Sequence, residues 1–224
     1  MKAFLAVLAL IIALVALPML LSPPADRGSG KAVEGLPWQI EVLPDGTSRV
    51  FGLSIGTSTL ADARARLRIE GETAIVAAPG EAGSLEAYFQ DATLGAITGK
   101  LILTAELADD ALEAMRQRAT KSEYMNSSTR KMKLADQDLP SANAARIRAI
   151  AFIPSINLDE AMVVQRFGQP AERTRSSEHM EHFLYPERGL DIIVDSEGKE
   201  LLQYVAPRDF ARLREPLKSK EEQK

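Results

Sequence analysis

Four short alternating runs near the C-terminus, at 171–176, 180–185, 190–194 and 200–205, constrain this chain more than any other feature. Apolar and polar residues take turns along each, the period of a half-buried strand. Pro186-Glu187-Arg188-Gly189 and Ser196-Glu197-Gly198 punctuate them. Turns this short reverse the chain, so the runs are expected to pair antiparallel. A capped helix precedes them: Asn157 supplies the cap acceptor and Glu160 follows three residues on. That helix is read over 158–167, ending at Gly168, with Pro170 blocking its continuation.

The first half carries a similar mixture. Residues 38–42 alternate, Pro44-Asp45-Gly46 turns, and 49–53 returns, which reads as a hairpin. Thr59 caps a short helix with Asp62 at its third position, and Leu60, Ala63 and Leu67 then share one face. Strand-like segments follow at 73–78, 85–90 and 101–105, with turns at Pro79-Gly80 and 95–99. A helix over 108–119 has Ala108, Leu112, Met115 and Ala119 as its apolar stripe, with Asp109 and Asp110 favouring its N-terminus. A further strand is read at 149–153 and a short helix at 209–214.

Between the halves the chain turns basic. Arg116, Arg118, Lys121, Arg130, Lys131 and Lys133 face a single acid, Glu123. Such a stretch can dock on anionic lipid headgroups or an acidic partner. The plainer reading, a solvated linker and helix end, is preferred.

Residues 3–21 hold nineteen consecutive uncharged residues. As a helix they would span roughly 28 Å, close to the roughly 30 Å hydrocarbon core of a bilayer. The rival is a cleaved secretory signal, but the run exceeds the usual signal core and Pro23 and Pro24 spoil the cleavage site. The expectation is a single-pass anchor in a bacterial inner membrane with the body in the periplasm. The alternative is release to the periplasm after signal cleavage. Pro-, Gly- and Ser-rich residues 23–36 read as the linker.

Composition removes several function classes. Hydrophobic residues make up 46% and charged residues 26% of the 224, a globular balance. The net charge of −4 argues against a nucleic-acid partner. With no cysteine there is no disulfide, thiol catalysis, zinc–thiolate site or thiol lipidation.

The second half, roughly 156–205, resembles the BamE-like (SmpA/OmlA) domain. The residues that carry the likeness are Leu158, Val163, Phe167-Gly168-Gln169-Pro170, Phe183-Leu184-Tyr185, Leu190-Asp191-Ile192-Ile193-Val194 and Gly198. The stretch from Gly52 to about Leu107 resembles a degenerate second copy, through the capped short helix at Gly56-Thr57-Ser58-Thr59-Leu60-Ala61-Asp62-Ala63. The resemblance implies a small, non-enzymatic envelope module that contacts other proteins. Unlike the assembly lipoprotein of that family, this chain has no cysteine for lipid attachment.

The only two histidines lie in Glu178-His179-Met180-Glu181-His182. On a strand His179, Glu181 and Phe183 point one way and Met180, His182 and Leu184 the other. The imidazoles then cannot converge on one ion, and the spacing is not that of the zincin helix. His179 and Glu181 could still hold a metal with ligands from a neighbouring strand. His182 is expected to be partly buried beside Met180. A Ser–His–Asp hydrolase would have to use one of these histidines, and no Gly-x-Ser-x-Gly elbow is present.

The expected fold is α+β, with short helices packed on antiparallel sheet(s), preceded by one transmembrane helix. Its segments are an anchor at 1–22, a linker at 23–36, a first α+β half at 37–121, a polar basic bridge at 122–146, a BamE-like half at 147–215 and a charged tail at 216–224. The expected function is non-catalytic: the anchored body binds another envelope protein through an exposed sheet edge or the basic bridge. The alternative is a small-ligand or metal sensor using His179 and Glu181. No catalytic residue, cofactor or resident metal is assigned, and the expected partners are the inner membrane, through 3–21, and an envelope protein.

Overall fold

The structure is a computed structural model and describes residues 33–125 and 128–221, with side chains through Leu217. The expected membrane helix at 3–21 lies outside the described residues. Among the described residues no helix is long and apolar enough to cross a membrane.

In chain order the elements are β1 (Glu41–Val42), β2 (Ser48–Val50), β3 (Leu53–Ser54), α1 (Leu60–Leu67), β4 (Glu72–Ala77), β5 (Ser84–Leu94), β6 (Ile97–Glu106), α2 (Asp109–Gln117), β7 (Lys121–Tyr124) and β8 (Arg130–Lys133). There follow α3 (Leu139–Ala144), β9 (Arg146–Pro154), α4 (Glu160–Phe167), β10 (Glu172–Arg175), β11 (Met180–Tyr185), β12 (Leu190–Asp195), β13 (Leu201–Val205) and α5 (Ala211–Glu221). The α+β reading holds.

The three first strands form a small sheet. The other ten form one antiparallel sheet in the order β10-β11-β12-β13-β9-β6-β5-β4-β8-β7. The join is β9, which pairs with β6 on one side and β13 on the other. Strands from both expected halves therefore share one hydrogen-bonded ladder, and the described residues from Glu34 onwards form one unit. The basic stretch between them is built into the same sheet. It supplies β8 and most of β7, and continues through α3 to the start of β9.

Alternate residues of every central strand enter a single core. Leu85, Ala87 and Phe89 of β5, Leu101 and Leu103 of β6, Ile150 and Phe152 of β9, Leu202 and Tyr204 of β13 and Phe183 of β11 are all buried there. Leu60 and Ala63 of α1, Ala142 of α3 and Val163 and Phe167 of α4 close the same face. Burying a side chain of this size contributes about 1.5–3 kcal/mol, so this alternation dominates the stability of the fold. The opposite face of the sheet is covered over a smaller area. There Phe210 and Leu217 pack on Leu184 and Val205.

Several local readings shift. The run read at 49–53 reverses at Phe51-Gly52, so β2 pairs with β3, and the helix read at 209–214 runs Ala211–Glu221. The cap of α4 is Asp159, whose Oδ1 accepts from the Met162 amide at 2.8 Å, and not Asn157. Leu158 is wholly buried, and so is Val163. These are the two positions of a hydrophobic staple, and burying Leu158 before the cap moves the helix start two residues along. The turn expected at 95–99 is only Gly95 and Ala96, because a bulge after Phe89 lets β5 run on to Leu94. At α1 the capping box forms as read: Thr59 Oγ1 accepts from the Asp62 amide at 3.1 Å, and Asp62 Oδ2 accepts from the Thr59 amide at 2.8 Å.

Candidate functional sites

The two histidines have different partners, Glu197 for His179 and Asp191 for His182. On the core-facing side of β11, Glu181 is bound by Arg173 through two parallel bonds, Nε to Oε1 at 3.0 Å and Nη2 to Oε2 at 3.1 Å. The same guanidinium donates to Glu160 of α4 at 2.7 Å and lies 4.3 Å from the Phe183 ring centre. Those donations hold the Glu160 carboxyl below its ordinary range and raise the Arg173 guanidinium. The arrangement clamps α4 to β10 and β11. His179 precedes β11 and sits 3.3 Å from Glu197, in the turn after β12. The two residues weighed as a metal pair are thus engaged by different partners. Among the described residues no three metal-ligating side chains gather.

His182 faces the other way and is buried, 6% exposed. Its Nδ1 lies 2.8 Å from Asp191 Oδ2 and its Nε2 2.9 Å from Ser176 Oγ. Three adjacent strands supply the trio: β12 carries Asp191, β11 carries His182 and the end of β10 leads into Ser176. An ionised Asp191 accepts from Nδ1–H, which leaves Nε2 of a neutral ring to accept the Ser176 hydroxyl proton. Asp191 is 1% exposed; burial pushes its carboxyl up, against the smaller pull of the His182 hydrogen bond and charge. Its Oδ1 has no hydrogen-bond partner among the described residues.

Hydroxyl, imidazole and buried carboxylate stand here in the order of a Ser–His–Asp nucleophile. Sequence reasoning named the histidine and missed both partners. One signal was present, since Asp191 interrupts an apolar run and a buried carboxylate needs a partner. The chemistry also needs an oxyanion site, commonly built with the nucleophile's own amide. The Ser176 amide instead donates to Met180 O at 3.2 Å, within the β10–β11 turn. The trio ties β10, β11 and β12 together and sets one hydrogen bond against the burial of the Asp191 carboxyl.

The basic stretch presents a second candidate. Among the described residues β7 is the outermost strand of the large sheet, and all four of its residues are exposed. The Met125 amide donates to Thr129 O at 2.8 Å, which fixes the alternation along the β7–β8 ladder. Glu123 then turns its backbone groups towards β8, and Ser122 and Tyr124 turn theirs outwards. Tyr124 is 76% exposed and the Arg130 guanidinium lies over its ring, 5.7 Å from the centre. Lys121 and Glu123 pair with each other, and Lys131 pairs with Glu72 of β4.

No family model, no curated protein and no solved structure matches this chain.

Proposed function

We propose that this chain is a membrane-anchored bacterial envelope protein that binds another envelope protein by strand addition at β7. The carrying observation is the open edge at Ser122 and Tyr124, whose outward backbone groups offer a ladder to an extended segment. Edges of this kind are ordinarily blocked by proline, a bulge or a covering element. Here the four exposed residues are followed by the half-exposed Met125, an apolar contact point beside the ladder. The flanking hairpin carries four cations, Lys121, Arg130, Lys131 and Lys133, against Glu123 and the neighbouring Glu72, and this positive excess suits an added strand with acidic side chains.

The anchor at 3–21 supports an inner-membrane, periplasm-facing placement. The element order of α4 followed by the β10–β13 meander supports the BamE-like reading of the second half. The partner is held by backbone pairing and charge, with no catalysis by the body.

The test is a photo-crosslinking amino acid placed at Tyr124 in the full chain, in cells, with Arg175 on the opposite edge strand as the control site. One reproducible envelope-protein adduct is expected from position 124 and none from 175. Ser122→Pro removes an outward amide and the Arg130–Ser122 side-chain bonds while sparing the backbone pairing of β7 with β8, and should abolish the adduct. Adducts equal at both sites, or untouched by Ser122→Pro, would refute strand addition.

A further inference from the structure

The side of the sheet away from the main core holds a recess of about 180 Å³ whose walls carry four arginines, Arg146, Arg148, Arg208 and Arg212, and two acids, Glu106 and Asp209. Arg146 and Arg148 flank the wholly buried Ile147 on β9, so both project from the opposite face. A bulge aims the second of them. Thr104 of β6 pairs with Ala149 and Ala105 pairs with Ile147, which leaves Arg148 as the extra residue. Bulges of this kind re-aim a side chain, and they recur beside functional sites.

The other two arginines come from the segment that enters α5. Arg212 lies in the first turn of that helix, which holds no acidic residue. A cation there meets the positive end of the helix dipole, the reverse of the stabilising arrangement. Arg208 is placed by the turn before it, donating from Nη1 to Asp45 O at 3.2 Å. Its guanidinium comes close to Gly56, where an added Cβ would sit 3.6 Å from Nη2.

These charges are only partly neutralised: Glu106 is the cross-strand partner of Arg146, and Arg208 acts on the Asp45 carboxylate just outside the recess. Within the recess the one close contact to an acid is Arg208 Nε to Asp209 at 3.9 Å. The side chains of Arg146, Arg148 and Arg212 donate no hydrogen bond to a described residue. Arg148 acts at longer range on Glu86, outside the recess, whose own carboxyl burial pushes up. Four guanidiniums at the positive end of a helix repel one another, and an anion relieves that repulsion.

We propose that this recess is a binding site for a phosphate group. Guanidinium forks match phosphate oxygens in pairs, and the helix terminus adds its dipole. The excess of two positive charges among the lining residues suits a phosphate monoester, which carries close to two negative charges near neutral pH. The volume is small beside an ordinary cofactor pocket of about 300–1,000 Å³, so the site takes one headgroup-sized anion. Either free phosphate or the head of a phosphorylated lipid offers that chemistry.

The experiment uses the full chain in phosphatidylcholine nanodiscs and isothermal titration calorimetry. One arm titrates inorganic phosphate and the other glycerol 3-phosphate, the soluble head of a lipid phosphomonoester. Saturable one-to-one binding is expected, weakened about tenfold or more in Arg148→Gln/Arg212→Gln, since each removes a charge-assisted contact. Both side chains are exposed, so far-ultraviolet circular dichroism should be unchanged; Arg212→Gln alone serves as a second, milder variant. Tighter binding of inorganic phosphate assigns the site to the free ion, and tighter binding of glycerol 3-phosphate to a lipid head. No saturable heat in either arm overturns the proposal, as does equal binding by the wild type and both variants.

Discussion

Replacing His182 with leucine tests whether the buried trio is a tie for a charge. The ring is 6% exposed and Asp191 1% exposed, and Asp191 Oδ1 already lacks a partner. The 2.8 Å bond from His182 Nδ1 is what the structure sets against that burial. Removing one partner of a buried pair leaves an uncompensated charge and costs about 3–5 kcal/mol. His182→Leu should therefore lose that much at pH 7, read by urea unfolding of the full chain. The pH dependence carries a sign. In the wild type, burial raises the Asp191 carboxyl while the His182 hydrogen bond and charge lower it. The variant keeps only the raising influence, so its folded carboxyl binds a proton more tightly than the unfolded one, near pKa 3.9. The deficit is then full above the folded pKa and disappears as pH falls below the unfolded value. His182→Leu/Asp191→Leu removes the charge as well and should return to within about 1–2 kcal/mol of wild type, because replacing both partners is nearly neutral. A loss below about 1 kcal/mol at pH 7 would refute the charge-tie reasoning, as would a double variant no better than the single one.

Two further outcomes follow from the same geometry. A fluorophosphonate probe should leave Ser176 unlabelled in the full chain, because its amide is committed to Met180 O and cannot help hold an oxyanion; a Ser176 adduct seen by peptide mass spectrometry would recast the trio as a nucleophile. Thr59→Ala removes the side-chain half of the α1 capping box and should cost about 1 kcal/mol in the same urea assay, with a change under about 0.3 kcal/mol counting against the cap.

Legibility in the sequence followed the range of the interaction. The β11 strand falls at 180–185, where period-two alternation placed it, because alternation is a local property. The Thr59 capping box is equally local, and it forms as read. The α4 cap moved because Leu158 buries itself in a core contributed by distant strands, a tertiary preference that overrides the local signature. The basic stretch shows polar residues on both faces of β7, so its pattern carries no apolar period; pairing with β8, itself paired to β4, makes it a strand. Ser176 and Asp191 reach His182 only through the β10–β11–β12 register, which no spacing rule reports.

The unequal covering of the sheet explains where chemistry can gather. On the main-core face α1, α3 and α4 close over the strands, and the charged groups there are spent on clamps such as Arg173 with Glu160 and Glu181. On the opposite face Phe210 and Leu217, at the start and within α5, cover Leu184 and Val205. Polar side chains of that face, which α5 covers in part, fall in two settings. A buried carboxylate has to be satisfied internally, and the His182 hydrogen bond does part of this for Asp191. Beside the α5 N-terminus, arginines stay in water and keep their charge available, which is the condition a phosphate site requires. The open β7 edge lies at the far end of the strand order from β10 and β11, and β5, β4 and β8 stand between it and the β6 and β9 strands of the recess, so strand addition there should disturb neither feature. The Tyr124 adduct should accordingly persist in Arg148→Gln/Arg212→Gln, and phosphate binding should persist in Ser122→Pro. Loss of both activities in either variant would mean that the two sites are one, and that the sheet couples them.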